Sequence, residues 1–131
     1  LLDEPTNGLD IESKRQLRSI LASLDMSNRA IIISTHQIAD LEQMLSHILI
    51  IKDKRLIVNA SLDNAAQRLA FGRVGEFAET LFVDGLRVIA QNNGEYSNID
   101  LEMLYLGVLE SQEIREILTK SDFEPRKEEL C

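Results

Sequence analysis

The sequence has 131 residues, 14 Lys+Arg against 22 Asp+Glu for a net charge of −8, with 44% hydrophobic and 27% charged residues. That is globular composition, enough for one domain or two small ones, and its negative balance opposes phosphate backbones and anionic lipid as partners. No apolar run approaches the ~18 residues of a spanning helix, no basic stretch precedes an apolar run in the manner of a signal peptide, and the single Cys131 can close no internal disulfide, which fits a reducing compartment.

The chain opens on Leu1-Leu2-Asp3-Glu4, without Met and as though inside a strand, and so reads as a piece of a longer polypeptide. Leu17, Ile20, Leu21 and Leu24, spaced i, i+3, i+4, i+7, predict a helix over about 11–25, N-capped by Asp10 with Glu12 in its first turn. Ile31-Ile32-Ile33 predicts a buried strand over about 29–35, and Ile38, Leu41 and Leu45 a second helix over about 37–46. Ile48 to Ile51 and Leu56 to Val58 flank Lys52-Asp53-Lys54-Arg55 as a hairpin, and Ser61 caps a short helix to about Leu69. This order of strands and helices implies an α/β unit with a parallel sheet.

Two glycines in Phe71-Gly72-Arg73-Val74-Gly75 mark a linker or turn, dividing the chain into residues 1–66 and a small α+β extension over 67–131, regulatory or dimer-forming in character. In the extension, Thr80 to Val83 and Leu86 to Ala90 surround Asp84-Gly85 as a hairpin, and Asn92-Asn93-Gly94 marks another turn. A helix from about Asp100 carries Leu101, Leu104, Tyr105, Val108 and Leu109 on one face, read as core. Ser111 caps a last helix with Ile114, Ile117 and Leu118, and the tail from Glu124 is charged and loose. Residues 1–66 hold seven basic and nine acidic side chains, net −2, against seven and thirteen, net −6, in residues 67–131.

The sharpest chemical signal is Leu1-Leu2-Asp3-Glu4-Pro5-Thr6-Asn7-Gly8-Leu9-Asp10. Two adjacent carboxylates ending an apolar strand are costly unless a cation or hydrogen bonds satisfy them. At the carboxyl edge of a parallel sheet they point into the crevice where ligands bind. A Mg²⁺ ion would take one carboxylate with waters and substrate phosphates, freeing the other to orient or deprotonate a water. Taken alone, such a pair is more often a solvated strand end or helix cap, and a lone histidine a polar strand terminus. His47, Met26, Met44 and Met103 read as structural, and Pro5 and Gly8 as turn-makers.

The same ten residues resemble the Walker B strand and D-loop of ATP-binding-cassette (ABC) ATPases. Ile31-Ile32-Ile33-Ser34-Thr35-His36 resembles that family's switch strand with its histidine, and Ser46 to Val58 is similar to its closing hairpin. Three pieces in the family's order thus cover roughly residues 1–65. The resemblance implies a partial P-loop NTPase parallel sheet with helices, in the ATP-binding subunit of a membrane transporter. It implies that Asp3 holds Mg²⁺ through water and that Glu4 is the catalytic glutamate polarising the attacking water. Asp10 would be the D-loop aspartate, beside the nucleotide at the interface of two nucleotide-binding domains, and His36 would read the γ-phosphate. Such chemistry needs positioning and charge stabilisation more than covalent steps, and a neutral imidazole can donate to a phosphate while accepting from its own support. Transmembrane permease subunits and a second nucleotide-binding domain are the implied partners, on the cytoplasmic face of the cell membrane and without insertion into it.

The P-loop pattern Gly-x-x-x-x-Gly-Lys-Ser/Thr does not occur, and none of the six glycines is followed by Lys. The family's Leu-Ser-Gly-Gly-Gln signature and glutamine loop do not occur either. The 131 residues alone are therefore expected neither to bind ATP tightly nor to hydrolyse it, and to self-associate through an unpaired Walker B strand. In the extension, Asn93 through Leu109 loosely resembles the additions of bacterial export-type cassettes. Two alternatives stand beside the transporter: a non-catalytic interaction or regulatory module, which the missing P-loop favours, and a non-transport ABC ATPase acting in translation or DNA repair, which the acidic second half disfavours.

Overall fold

Leu2–Asp3 (β1) and Ile33–Ser34 (β2) pair in parallel, Leu2 opposite Ile33 and Asp3 opposite Ser34, in a computed structural model that describes residues 1–40, 42–95 and 98–119, without the side chains of Asp40 and Gln43. Between them Ile11–Ala22 (α1) forms the crossover of a βαβ segment. Asp10 starts α1 by accepting the Ser13 amide at 2.7 Å, satisfying one of the donors that a helix start leaves unpaired. The helix stops three residues short of the expected end. The Ser23 hydroxyl bonds the Ile20 carbonyl at 2.7 Å and the Asp25 carboxylate takes the Ser27 amide at 3.0 Å, so local side-chain bonds replace the next helical turn. Of the expected apolar face only Leu21 is buried, while Ile20 and Leu24 are exposed.

Two expectations in this region are corrected. The strand expected over 29–35 shrinks to Ile33–Ser34, since a strand extends only as far as its partner and β1 offers two residues; Ile32 is exposed. The helix expected over 37–46 is instead two 3₁₀ turns, Ile38–Asp40 and Glu42–Met44, with Leu41 outside the described residues. The parallel sheet therefore consists of one strand pair among the described residues.

His47–Lys52 (β3) and Arg55–Ser61 (β4) form the expected hairpin. Its two-residue turn, Asp53-Lys54, takes φ 51° and 64°, the backbone of the tight turns that match strand twist. Ile48 and Ile50 are buried and Leu49 and Ile51 exposed, as the period of two requires; on β4 Val58 and Ala60 are buried, whereas Leu56, of the same parity, is exposed beyond the register shift at Ile50/Ile51. Ser61 caps Leu62–Arg68 (α2) by accepting the Asn64 amide at 3.0 Å.

The expected linker or turn around 71–75 is corrected in part: Leu69–Arg73 is a strand (β5) that pairs antiparallel with Arg87–Gln91 (β7), and the turn is confined to Val74 and Gly75. Gly72 belongs to this strand because an added Cβ there would meet Glu76 Oε2 at 2.5 Å and Phe77 Cε2 at 2.8 Å; the glycine admits a close neighbour and breaks nothing. Phe82–Asp84 (β6) pairs on the other side of β7, giving the order β5-β7-β6. The hairpin turn is Gly85-Leu86, one residue later than expected, because Asp84 pairs with Arg87 and the two side chains meet at 3.2 Å.

Leu101–Glu110 (α3) and Gln112–Thr119 (α4) begin at Asp100 and Ser111, which accept the amides of Met103 and Ile114. Cations cover the carbonyls at their far ends: Arg115 bonds Val108 and Leu109, Lys52 bonds Leu109, and Arg68 bonds Ile117. Leu101, Leu104 and Val108 are buried as expected, together with Met103, Ile114 and Leu118, whereas Tyr105 is partly exposed. The structure forms two compact units, Leu1–Leu45 and Ser46–Cys131, so the division read at 66/67 falls inside the second. Tyr96, Ser97 and the tail from Glu124 lie outside the described residues.

Candidate functional site

Parallel pairing brings the carboxyl ends of β1 and β2 side by side. Asp3 ends β1 opposite Ser34, and the Glu4 amide then donates to the Ser34 carbonyl at 2.6 Å. At Glu4 the backbone turns into the left-handed region, φ 45°, unusual for a residue other than glycine and characteristic of constrained sites. The turn is closed by the Asn7 amide on the Glu4 carbonyl at 3.1 Å and the Leu9 amide on the Thr6 carbonyl at 3.2 Å.

The Glu4 side chain, 26% exposed, reaches across to the segment following β2. Its Oε2 accepts the Thr35 hydroxyl at 3.1 Å, and its Oε1 accepts the His36 amide at 3.1 Å and meets His36 Nδ1 at 2.5 Å. Desolvation pushes this carboxyl upward, but the bonds from the His36 ring, the Thr35 hydroxyl and the His36 amide, with the attraction of His36, outweigh it and hold Glu4 below its ordinary 4.5.

A carboxylate only accepts, so Nδ1 carries the proton in this pairing. The other ring nitrogen of a neutral His36 is then an acceptor. Donation to a phosphate oxygen needs either the imidazolium or release of the ring from Glu4. This revises the expected division of labour in the ring, because the support is an acceptor. The imidazole is otherwise open, its side chain 77% exposed.

Asp3 is exposed at the strand end, next to the Glu4–His36 pair in sequence. Asp10 is exposed at the start of α1, where the Ser13 amide and hydroxyl hold its carboxyl below the usual range. Glu4 and His36 are thus in direct contact, while Asp10 is engaged in capping. Among the described residues no group of three or more His, Cys, Asp or Glu is placed to hold a metal ion. His47 meets Asn59 Oδ1 across the β3–β4 hairpin.

Two residues of the arrangement had no signal in periodicity. Thr35 binds Glu4, and its oxygen also accepts the Gln37 amide at 2.9 Å. Thr6 is fully buried, with its hydroxyl 3.4 Å from Gln37 Oε1. Their hydroxyls could have been noticed only as small polar groups inside the two motifs.

Fold and site first define a class: an α/β chain in which the glutamate of an Asp-Glu pair meets a histidine at the carboxyl end of parallel strands. Comparison with known proteins shows what about half of the chain is similar to. An uncharacterized ABC transporter ATP-binding protein of Methanocaldococcus jannaschii is 32% identical over 71 residues, 54% of this chain and 27% of the relative. The bacitracin transport ATP-binding protein BcrA of Bacillus licheniformis is 36% identical over 69 residues, 52% of this chain and 22% of the relative. The energy-coupling factor transporter ATP-binding protein EcfA2 of Streptococcus thermophilus is 30% identical over 71 residues, 54% and 25% respectively. About half of this chain is therefore related to ABC transporter ATP-binding proteins, and the match spans about a quarter of their length. No family model matches the chain. No solved structure matches it.

Proposed function

We propose that this chain is the C-terminal portion of the ATP-binding subunit of an ABC transporter, in which Glu4 and His36 act on the terminal phosphate of ATP. The observation that carries the proposal is the contact of the Glu4 carboxylate with His36 at the end of two parallel strands. Held ionised by its donors, Glu4 suits the role of orienting and polarising a water. His36, mostly exposed beyond its bond to Glu4, suits the role of reading a phosphate. The exposed Asp3 supplies one hard oxygen donor, which fits Mg²⁺ because that ion keeps several waters and takes few carboxylates; the ion would neutralise phosphate charge. Asp10 is assigned to the contact with a second nucleotide-binding domain.

In the intact protein this site drives transmembrane permease subunits from the cytoplasmic face, with residues 67–131 as a regulatory or dimer-forming addition. The 131 residues alone, having no phosphate-cradling loop, neither grip nor hydrolyse ATP. They self-associate through the outer edges of β1 and β2. Calorimetric titration of the chain with Mg-ATP is expected to show no micromolar binding, and light scattering to show a mass that rises with concentration. Micromolar binding or a strict monomer refutes the corresponding statement. For the intact ATPase, Glu4→Gln is expected to abolish turnover while leaving nucleotide binding; retained turnover refutes the assignment of Glu4.

A further inference from the structure

The geometry points to Thr35 as a positioning residue that holds the Glu4 carboxylate in its working orientation through the Thr35 hydroxyl, independently of the His36 ring. This rests on the assignment of Glu4 as the hydrolytic carboxylate and adds what keeps it aimed when His36 turns to a phosphate.

Direction follows from hydrogen-bond bookkeeping. A threonine hydroxyl has one proton to donate. The Gln37 amide donates to Thr35 Oγ1 at 2.9 Å, so that oxygen is already an acceptor, and its proton is directed to Glu4 Oε2 at 3.1 Å. Glu4 Oε1 separately takes the His36 backbone amide at 3.1 Å. Each carboxylate oxygen therefore has a donor that belongs neither to the imidazole nor to a ligand. If the ring swings away, these two bonds keep the carboxylate plane fixed. Oε1 also meets the ring, whereas among the described residues Oε2 takes the Thr35 hydroxyl alone, so Oε2 is the oxygen with lone-pair capacity left for a water. The backbone at Glu4 turns into the left-handed region, φ 45°, and the carboxylate it carries ends on the Thr35 hydroxyl and the His36 amide.

The test uses the 131-residue chain and nuclear magnetic resonance. In the unsubstituted chain the Thr35 hydroxyl proton is expected to exchange slowly enough to be observed and to show cross-relaxation with the Glu4 methylenes. A freely exchanging hydroxyl with no such contact overturns the proposal whether or not any variant folds. Thr35→Val keeps the side-chain shape and removes the donor. It is expected to raise the exchange rate of the His36 amide about tenfold, the scale of losing one bond to a charged group, while amides around Leu21 stay unchanged. Thr35→Ser restores the rate to within about twofold, which a purely steric role would not do. His36→Ala is expected to leave the Thr35–Glu4 contact in place; its loss, or unchanged exchange in Thr35→Val, overturns the proposal. Should Thr35→Val loosen Glu4 while Glu4→Gln leaves turnover of the intact ATPase untouched, the positioning role stands and the hydrolytic assignment of Glu4 falls.

Discussion

Glu4 combines an unusual backbone with a well-satisfied side chain, and its charge state should be visible in stability. Its folded pKa lies below the ordinary value, so the folded state favours the ionised form. That preference contributes stability in full above the unfolded value near 4.5 and is lost as the pH falls through the lower folded value. Unfolding midpoints of the native chain and Glu4→Gln are therefore expected to differ most near neutrality and to converge in acid. A gap that stays constant down to about pH 3 would show that ionisation of Glu4 is not coupled to folding. Asp10 lies at the same scale. Its carboxylate is committed to the Ser13 amide at 2.7 Å, so an interfacial role would have to coexist with capping or displace it.

At the scale of elements, caps and one close approach decide where helices sit. Ser61 makes a bond to Asn64 at the junction of β4 and α2, and Ser61→Ala is expected to cost about 1 kcal/mol, read as a lower midpoint in urea. Gly107 lies inside α3, where an alanine Cβ would stand 2.8 Å from Ile89 Cδ1 and 2.9 Å from Ile114 Cδ1. Helix propensity favours alanine by about 1 kcal/mol, but both isoleucines are fully buried and overpacking costs about 1–3 kcal/mol. Gly107→Ala is thus expected to lower the melting temperature; a rise would mean that the two isoleucines can move aside. Sequence patterning was most informative about elements whose signals are local: the caps Asp10, Ser61 and Ser111, the helix start near Asp100, the hairpin around Lys52–Arg55 and, Tyr105 excepted, the Leu101–Val108 stripe. It failed where a neighbour decides. The isoleucine run at 31–33 outlasts its two-residue partner, and Gly72 is a strand residue whose reason lies in Glu76 and Phe77.

The two units of the molecule differ in their cores. Among the described residues, Leu21, still 9% exposed, is the one buried apolar side chain of Leu1–Leu45, whereas Val58, Leu69, Ile89, Leu104, Val108 and Ile114 are among those filling the second unit. Apolar burial is the main favourable term in folding. Hydrogen exchange is expected to proceed faster in Leu1–Leu45 than in the β3–β4 hairpin, β7 and α3, and uniform protection across both units would contradict this. The candidate site thus sits on the less buried unit.

The order of residue types along the chain was enough, by itself, to indicate an α/β protein, the acidic pair and the histidine, because periodicity, caps and motif spacing are carried by neighbours in sequence, and the motifs as they stand carry the resemblance to ABC ATPases. Tertiary structure alone decided that Glu4 and His36 touch, that Thr35 joins them, that the ring must donate rather than accept toward its support, and that residues 71–73 form a strand. Those outcomes depend on which segments pair in space and in what register, and a hydrogen bond between residues 31 or 32 positions apart leaves no trace in local patterning.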